Sequence, residues 1–186
     1  MVENKEPLGI VHGRFQPLHN NHLRDLIINA KNRCDHLIVG ITNYNIYEGK
    51  KINPVDVHRF DSSNNPFTYY ERFEMIKNTM IELGYKQSEF DIVPFPIENP
   101  EYLFNFVPKN AVYYITSFDE WGDEKIKILK NLGLNVNVMI KSDLSQKPIS
   151  ATMIRNKIKK GEDWKQYVPK AVFEYITKNH LENKIK

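Results

Sequence analysis

Leu8-Gly9-Ile10-Val11-His12-Gly13-Arg14-Phe15-Gln16-Pro17-Leu18-His19-Asn20-Asn21-His22 decides how the chain is read. Its first four residues are a short apolar run, and Leu23, Leu26, Ile27 and Ala30 then recur at helical spacing across Arg24 to Arg33. Strand, tight loop and helix therefore follow one another directly. The next apolar run, Leu37-Ile38-Val39-Gly40-Ile41, has the pattern of a strand covered on both faces. Two such strands joined through a helix predict a parallel unit with a right-handed crossover.

The same alternation continues outward. Thr68 is placed to cap a helix with Glu71 three residues on; Tyr69, Phe73, Ile76, Met80 and Leu83 give it a buried face, and Gly84 ends it. Strands are predicted over Asp91 to Phe95, Ala111 to Thr116 and Asn135 to Ile140, and helices over Lys125 to Leu132, from Ser150 to Gly161, and over Val168 to Ile176. This is an α/β chain with a mainly parallel sheet flanked by helices. The 186 residues, 41% hydrophobic and 26% charged, suit a single domain over 1–186 with no repeat or low-complexity tract. One cysteine, Cys34, excludes a disulfide scaffold and a cysteine-based zinc cluster. The start of the chain carries no signal-like apolar stretch and nothing is long enough to span a membrane, so a cytoplasmic protein without membrane contacts is expected. A net charge of +3 is too weak an excess to argue for nucleic acid, though it suits a phosphate-rich ligand.

From Thr42 to Pro66 the periodicity stops, and the insertion over 43–66 is far longer than an ordinary loop. It reads as a mobile insertion or as part of a site, since Tyr44, Tyr47, His58, Arg59 and Phe60 are a rich set for a passive connection. Lys50, Lys51, His58 and Arg59 either close over a small anion or are solvated loop charge.

The chemistry concentrates where the first strand meets the first helix. A helix start aims free backbone N–H groups and its positive dipole end at what lies above it, which suits polyphosphate. His19 and His22, three apart, can add ring N–H donors, and Gly13 lets the backbone approach. The plainer readings are a helix cap or packing. A metal pair is disfavoured because no Cys, Asp or Glu stands beside the histidines to complete a tetrahedral set, so no side-chain metal site is expected.

The run from Gly13 to Pro17 with His19 and His22, then Asn65-Pro66-Phe67-Thr68 with Glu71-Arg72, then Ile149-Ser150-Ala151-Thr152 with Ile154-Arg155, and the tail Gly161-Glu162-Asp163-Trp164 with Val168-Pro169-Lys170 and Glu174-Tyr175-Ile176 resemble the nucleotidyltransferases with a His-x-x-His signature. Within them the motifs are most similar to those of the archaeal-type nicotinamide mononucleotide (NMN) adenylyltransferases. The resemblance implies a Rossmann-like sheet, Mg²⁺, and transfer of a nucleoside monophosphate from a nucleoside triphosphate to a phosphate-bearing acceptor with release of pyrophosphate. It implies catalytic roles for His19, His22 and Arg155, and nucleotide or phosphate binding by Gly13, Arg14, Phe15, Gln16, Ser150, Thr152 and Arg72. A surface ion pair is the plain alternative for Arg72. Asn43, Asn105 and Phe106 are the candidates on the acceptor side. Homo-oligomers are common in such a family, so a homo-oligomer is expected, without a nameable interface.

The likeness breaks on the acceptor side. The family's glycine before the second histidine is Asn21, a residue that tolerates left-handed backbone. Positions that resemble an asparagine and a tryptophan facing nicotinamide fall on Leu103 and Phe106, and leucine cannot recognise a carboxamide. The loop from Thr42 and the turn Thr116-Ser117-Phe118-Asp119-Glu120-Trp121 also depart from the family's pattern. The leading reading is an NMN adenylyltransferase making NAD, with a cytidylyltransferase using CTP and a small phosphate or phosphonate as the alternative; a non-catalytic nucleotide sensor is the alternative of another class, and the intact set of His19, His22, Ser150, Thr152 and Arg155 argues against it. An RNA-related activity is disfavoured by the short chain and the weak basic excess.

Overall fold

The computed structural model describes residues 5–44, 60–142 and 149–185. Strand β1 (Glu6–Gly13) lies at the centre of a five-stranded sheet with β2 (Cys34–Ile41), β3 (Phe90–Pro94), β4 (Val112–Ser117) and β5 (Asn135–Lys141), in the spatial order β3-β2-β1-β4-β5. All four pairings are parallel. The chain builds outward from β1 to β3 on one side and then restarts at β4 on the other, so the order reverses at the β1/β4 boundary. In open parallel sheets ligands bind beyond the carboxyl ends of the strands at that boundary.

The pleat sends alternate side chains to opposite faces. Val11, Val39, Leu37 and Ile41 pack with Leu26, Ile27, Met75, Ile76, Ile154, Val172 and Ile176 from the helices on one face. Ile10, Ile38, Tyr113 and Ile115 pack with Phe95, Ile97, Leu103 and Leu129 on the other. With both faces covered, the strands are the continuous apolar runs that a parallel sheet requires.

Helix α1 begins with the π-helical turns His22–Ile28 and continues as Asn29–Lys31. Helix α2 (Tyr69–Glu82) has the predicted box: the Thr68 hydroxyl accepts from the Glu71 N–H at 3.2 Å, and the Glu71 carboxylate accepts from the Thr68 N–H at 2.8 Å. Replacing Thr68 by alanine is expected to cost about 1 kcal/mol of stability. Urea unfolding checks this, and an unchanged midpoint would show that the cap contributes nothing.

Helix α3 (Glu120–Asn131) starts earlier than the periodicity suggested, because the Asp119 carboxylate accepts from the Gly122 N–H at 2.7 Å and opens the helix before its apolar stripe begins. Helix α4 (Ala151–Lys160) is capped by Ser150 and ended by Gly161 at φ +68°. Helix α5 (Lys170–Lys178) starts after Pro169, slightly later than predicted. Among the described residues no helix is long and apolar enough to cross a membrane.

Candidate active site

A cavity opens over the carboxyl end of β1, at the boundary where the strand order reverses. Its lining comes from Gly13, Arg14, Phe15 and Gln16, from His19, Asn21, His22 and Asp25, and from Ser150, Ala151, Thr152 and Arg155 at the start of α4. Ile115, Thr116, Phe118, Asp119, Trp121, Gly122 and Lys125 also line the cavity, together with His12 and Thr42. Residues over a hundred positions apart are thus brought to one place.

The two histidines form one unit. Their rings stack at 3.7 Å, tilted by 21°, and Phe15 meets the His22 ring edge-on at 5.3 Å. The His22 N–H donates to His19 Nδ1 at 3.3 Å, so a neutral His19 ring carries its proton on Nε2. Gly13 has a local reason as well as the expected one: a Cβ there would meet the Phe15 ring at 2.9 Å, and Phe15 itself turns at φ +50°. Asn21 needs no left-handed freedom, since it lies at φ −67°, ψ −43°. Its amide donates to Asp25 at 3.3 Å.

Gln16 holds this loop in place. Its side-chain amide donates to the Phe67 carbonyl at 2.8 Å and accepts from the Phe67 N–H at 2.9 Å, pairing like one rung of a sheet. The Gln16 backbone carbonyl accepts from Arg155 at 2.8 Å. Arg155, 5% exposed, also donates to the Asn64 side chain at 2.6 Å and to the Thr152 hydroxyl at 3.2 Å. Burial lowers its guanidinium to about 10, and the charge of Arg14 pushes the same way. It is still a cation at neutral pH, in a cluster of positive charge suited to a polyanion.

Arg72 stands apart from the other candidates. It is fully buried and does not border the cavity. Its donors go to four backbone carbonyls: Thr68 at 3.2 Å, and Arg14, Thr42 and Asn43 at 2.8 Å each. The surface ion pair that the sequence left as its alternative does not describe it either. The acceptor-side candidates are also away from the cavity wall. Asn43, at φ +48°, donates to the Asn65 side chain at 3.3 Å. Asn105 is exposed, and Phe106 packs on Tyr44 at 5.8 Å. Tyr47, Lys50, Lys51, His58 and Arg59 lie outside the described residues.

The sequence reading passed over His12, Asn64 and Lys125. Asn64 sits in a polar stretch with no pattern to mark it, and Lys125 reads only as the first residue of a predicted helix; His12 adjoins the decisive motif but reads as a strand residue. Gly122 is tied to the turn before α3, where a Cβ would meet the Ser117 hydroxyl at 2.5 Å and its Cα at 2.9 Å.

Residues 10–157 match the model of the cytidylyltransferase-like family, and that stretch holds both helix starts and every side chain lining the cavity. The chain belongs to the cytidylyltransferase-like family. It is a nucleotidyltransferase, with the five-stranded parallel sheet of that fold. It is 37% identical to the phosphonoformate cytidylyltransferase of Streptomyces viridochromogenes, over 96% of this chain and 95% of that protein. It is 31% identical to the nicotinamide-nucleotide adenylyltransferase of Pyrococcus abyssi, over 90% of this chain and 81% of that one. The solved structure of a bifunctional NMN adenylyltransferase/ADP ribose pyrophosphatase from Francisella tularensis, complexed with AMP and a manganese ion, superposes with a TM-score of 0.62 at 18% identity. That alignment covers 97% of this chain and 52% of the other, so the chain spans about half of its length.

Among the described residues, no three His, Cys, Asp or Glu side chains are grouped to hold a metal ion. The donor set of this nucleotidyltransferase, rich in arginine, imidazole and hydroxyl groups, fits a divalent cation that arrives bound to phosphate oxygens.

Proposed function

We propose that this enzyme is a cytidylyltransferase that moves CMP from CTP to a small phosphonate or phosphate acceptor and releases pyrophosphate. The observation that carries this reading is the acceptor side. Leu103, at the position where the resemblance expects a carboxamide-reading asparagine, is completely buried in the core, and Phe106 packs on Tyr44 away from the cavity wall. That side offers nicotinamide no amide partner from these positions. The 37% identity to the phosphonoformate enzyme, over nearly the full length of both proteins, supports the same choice.

In this reading an oxygen of the acceptor attacks the α-phosphorus in line, a new P–O bond forms, and the bond to the bridging oxygen breaks as pyrophosphate departs. No protein nucleophile is required, so positioning and charge stabilisation carry the rate. The His19 and His22 rings donate to phosphate oxygens as negative charge develops there. Arg14, Arg155 and the N-terminus of α4, with Ser150 and Thr152, hold the triphosphate. Arg72 acts behind them by bracing the carbonyls of Arg14, Thr42 and Asn43. Mg²⁺ carried in by the triphosphate would supply charge neutralisation there, and Asp25 is a carboxylate of the cavity lining that could face it.

Thermal-shift titration with ATP, CTP, GTP and UTP, each with Mg²⁺, reads the base first. A ligand at a hundred times its Kd stabilises the folded chain by about 2.7 kcal/mol. The largest rise is expected with CTP, and pyrophosphate release with CTP plus phosphonoformate is expected to exceed that with ATP plus NMN. The reverse preference would overturn the proposal in favour of NAD formation. Nucleotide binding with no pyrophosphate release from either pair would also overturn it.

A further inference from the structure

The site has a third histidine that the nucleotide chemistry above does not use. His12 lies one residue before the end of β1 and is 4% exposed, yet it borders the cavity. Its ring lies flat on Phe95, with centroids 4.4 Å apart and planes within 3°. The neighbouring strand makes room for this stack. Gly40 is the register partner of His12 on β2, and a Cβ at residue 40 would meet the Phe95 side chain at 2.6 Å. A glycine here thus seats Phe95, and Phe95 fixes the plane of the imidazole.

The side chain of His12 leaves β1 away from the face on which helix α1 packs. By the alternation of β1 it shares a face with Ile10, the face that packs on Phe95 and Leu103, whereas Phe15 packs on the opposite face with the helix that carries His22. His12 nevertheless borders the same cavity as His19, His22 and Arg155, so an acceptor seated over His12 would share that space with a triphosphate held by those three. An imidazole held in one plane at a half-enclosed site is a directional N–H donor for an anionic oxygen.

We propose that His12 is the residue that reads the acceptor, with a ring N–H donating to an anionic oxygen of the small phosphonate or phosphate, and that Gly40 and Phe95 hold it for that purpose. This rests on the acceptor class proposed above.

The test is His12→Phe, which keeps a flat ring on Phe95 and removes both nitrogens. Pyrophosphate release is measured while CTP and phosphonoformate are varied separately. The KM for phosphonoformate is expected to rise at least about tenfold, the loss of one hydrogen bond to a charged group, while the KM for CTP stays within about twofold. His12→Gln, which retains an N–H donor, is expected to recover part of the loss. If His12→Phe does not fold, His12→Leu reads the same split. An unchanged acceptor KM, or equal rises for both substrates, overturns the proposal. A wild-type enzyme that uses ATP and NMN instead refutes the cytidylyltransferase reading alone; the split is then read with NMN, where an unchanged KM refutes the role of His12. Wild type inactive with both pairs overturns both.

Discussion

His22→Ala is expected to lower kcat by about 10² or more while the melting temperature stays near that of the wild type, by analogy with the loss of one preorganised donor to a transition-state oxyanion. The expectation follows from how the histidine pair is built. The His22 ring is fixed between His19 at 3.7 Å and the edge of Phe15 at 5.3 Å, so its donor needs little reorganisation when charge develops on the phosphate. His19→Ala is expected to lose as much turnover. It also removes the Nδ1 acceptor that holds the His22 N–H at the helix start, so a stability loss of about 1 kcal/mol should accompany it, the size of a lost cap. Saturating pyrophosphate-release assays beside thermal melts separate the two effects. Wild-type turnover in either variant would remove the pair from the chemistry and return it to a capping role.

Arg72→Ala is expected to have the largest effect on stability. Burial lowers the guanidinium to about 10, the charge of Tyr69 works against that shift and the charge of Arg14 with it, and the group is still a cation at neutral pH. Its donors go to the carbonyls of Thr68, Arg14, Thr42 and Asn43. Truncation leaves those carbonyls without their donor, and since each buried polar group left unpaired costs about 1–3 kcal/mol, the loss is expected to reach about 3–5 kcal/mol in all. For a chain of this size that is a fall of roughly 10 °C in Tm. Arg72→Lys should recover little, because an ammonium cannot span carbonyls on three separate segments as a planar fork does. Chemical denaturation measures the loss, and a change below about 1 kcal/mol would show that the brace is dispensable. Turnover at a temperature where the variant is still folded should also fall, since the Arg14 carbonyl and the Thr42–Asn43 turn would no longer be tied together.

Much of the fold was legible in the sequence because the signals were local. The apolar runs at Leu8 and Leu37 became β1 and β2, the Thr68 and Glu71 pair became a box, and Ser150 and Gly161 bounded α4. The start of α3 was not legible, because Asp119 acts through one hydrogen bond and the turn after it contains Gly122. In the site, the motifs placed Gly13 to Gln16, His19, His22, Ser150, Thr152 and Arg155 in one neighbourhood, and the cavity gathers them. What each one touches was beyond the sequence. Arg72 looked like its phosphate-facing neighbours, and only the convergence of three distant carbonyls distinguishes it. His12 was hidden for another reason: its meaning depends on Phe95 and Gly40, which belong to other strands or follow them.

The 2.6 Å bond from Arg155 to Asn64 ties a residue that lines the cavity to the far end of the long insertion. Loop grafting to change the substrate would ordinarily treat 43–66 as an exchangeable cassette. Here such a graft replaces a partner of Arg155 along with the loop, so a chimera that lacks an oxygen acceptor at that root inherits a mispositioned arginine whatever acceptor its new loop prefers. An exchange of the insertion that keeps this partner of Arg155 has to stop short of Asn64.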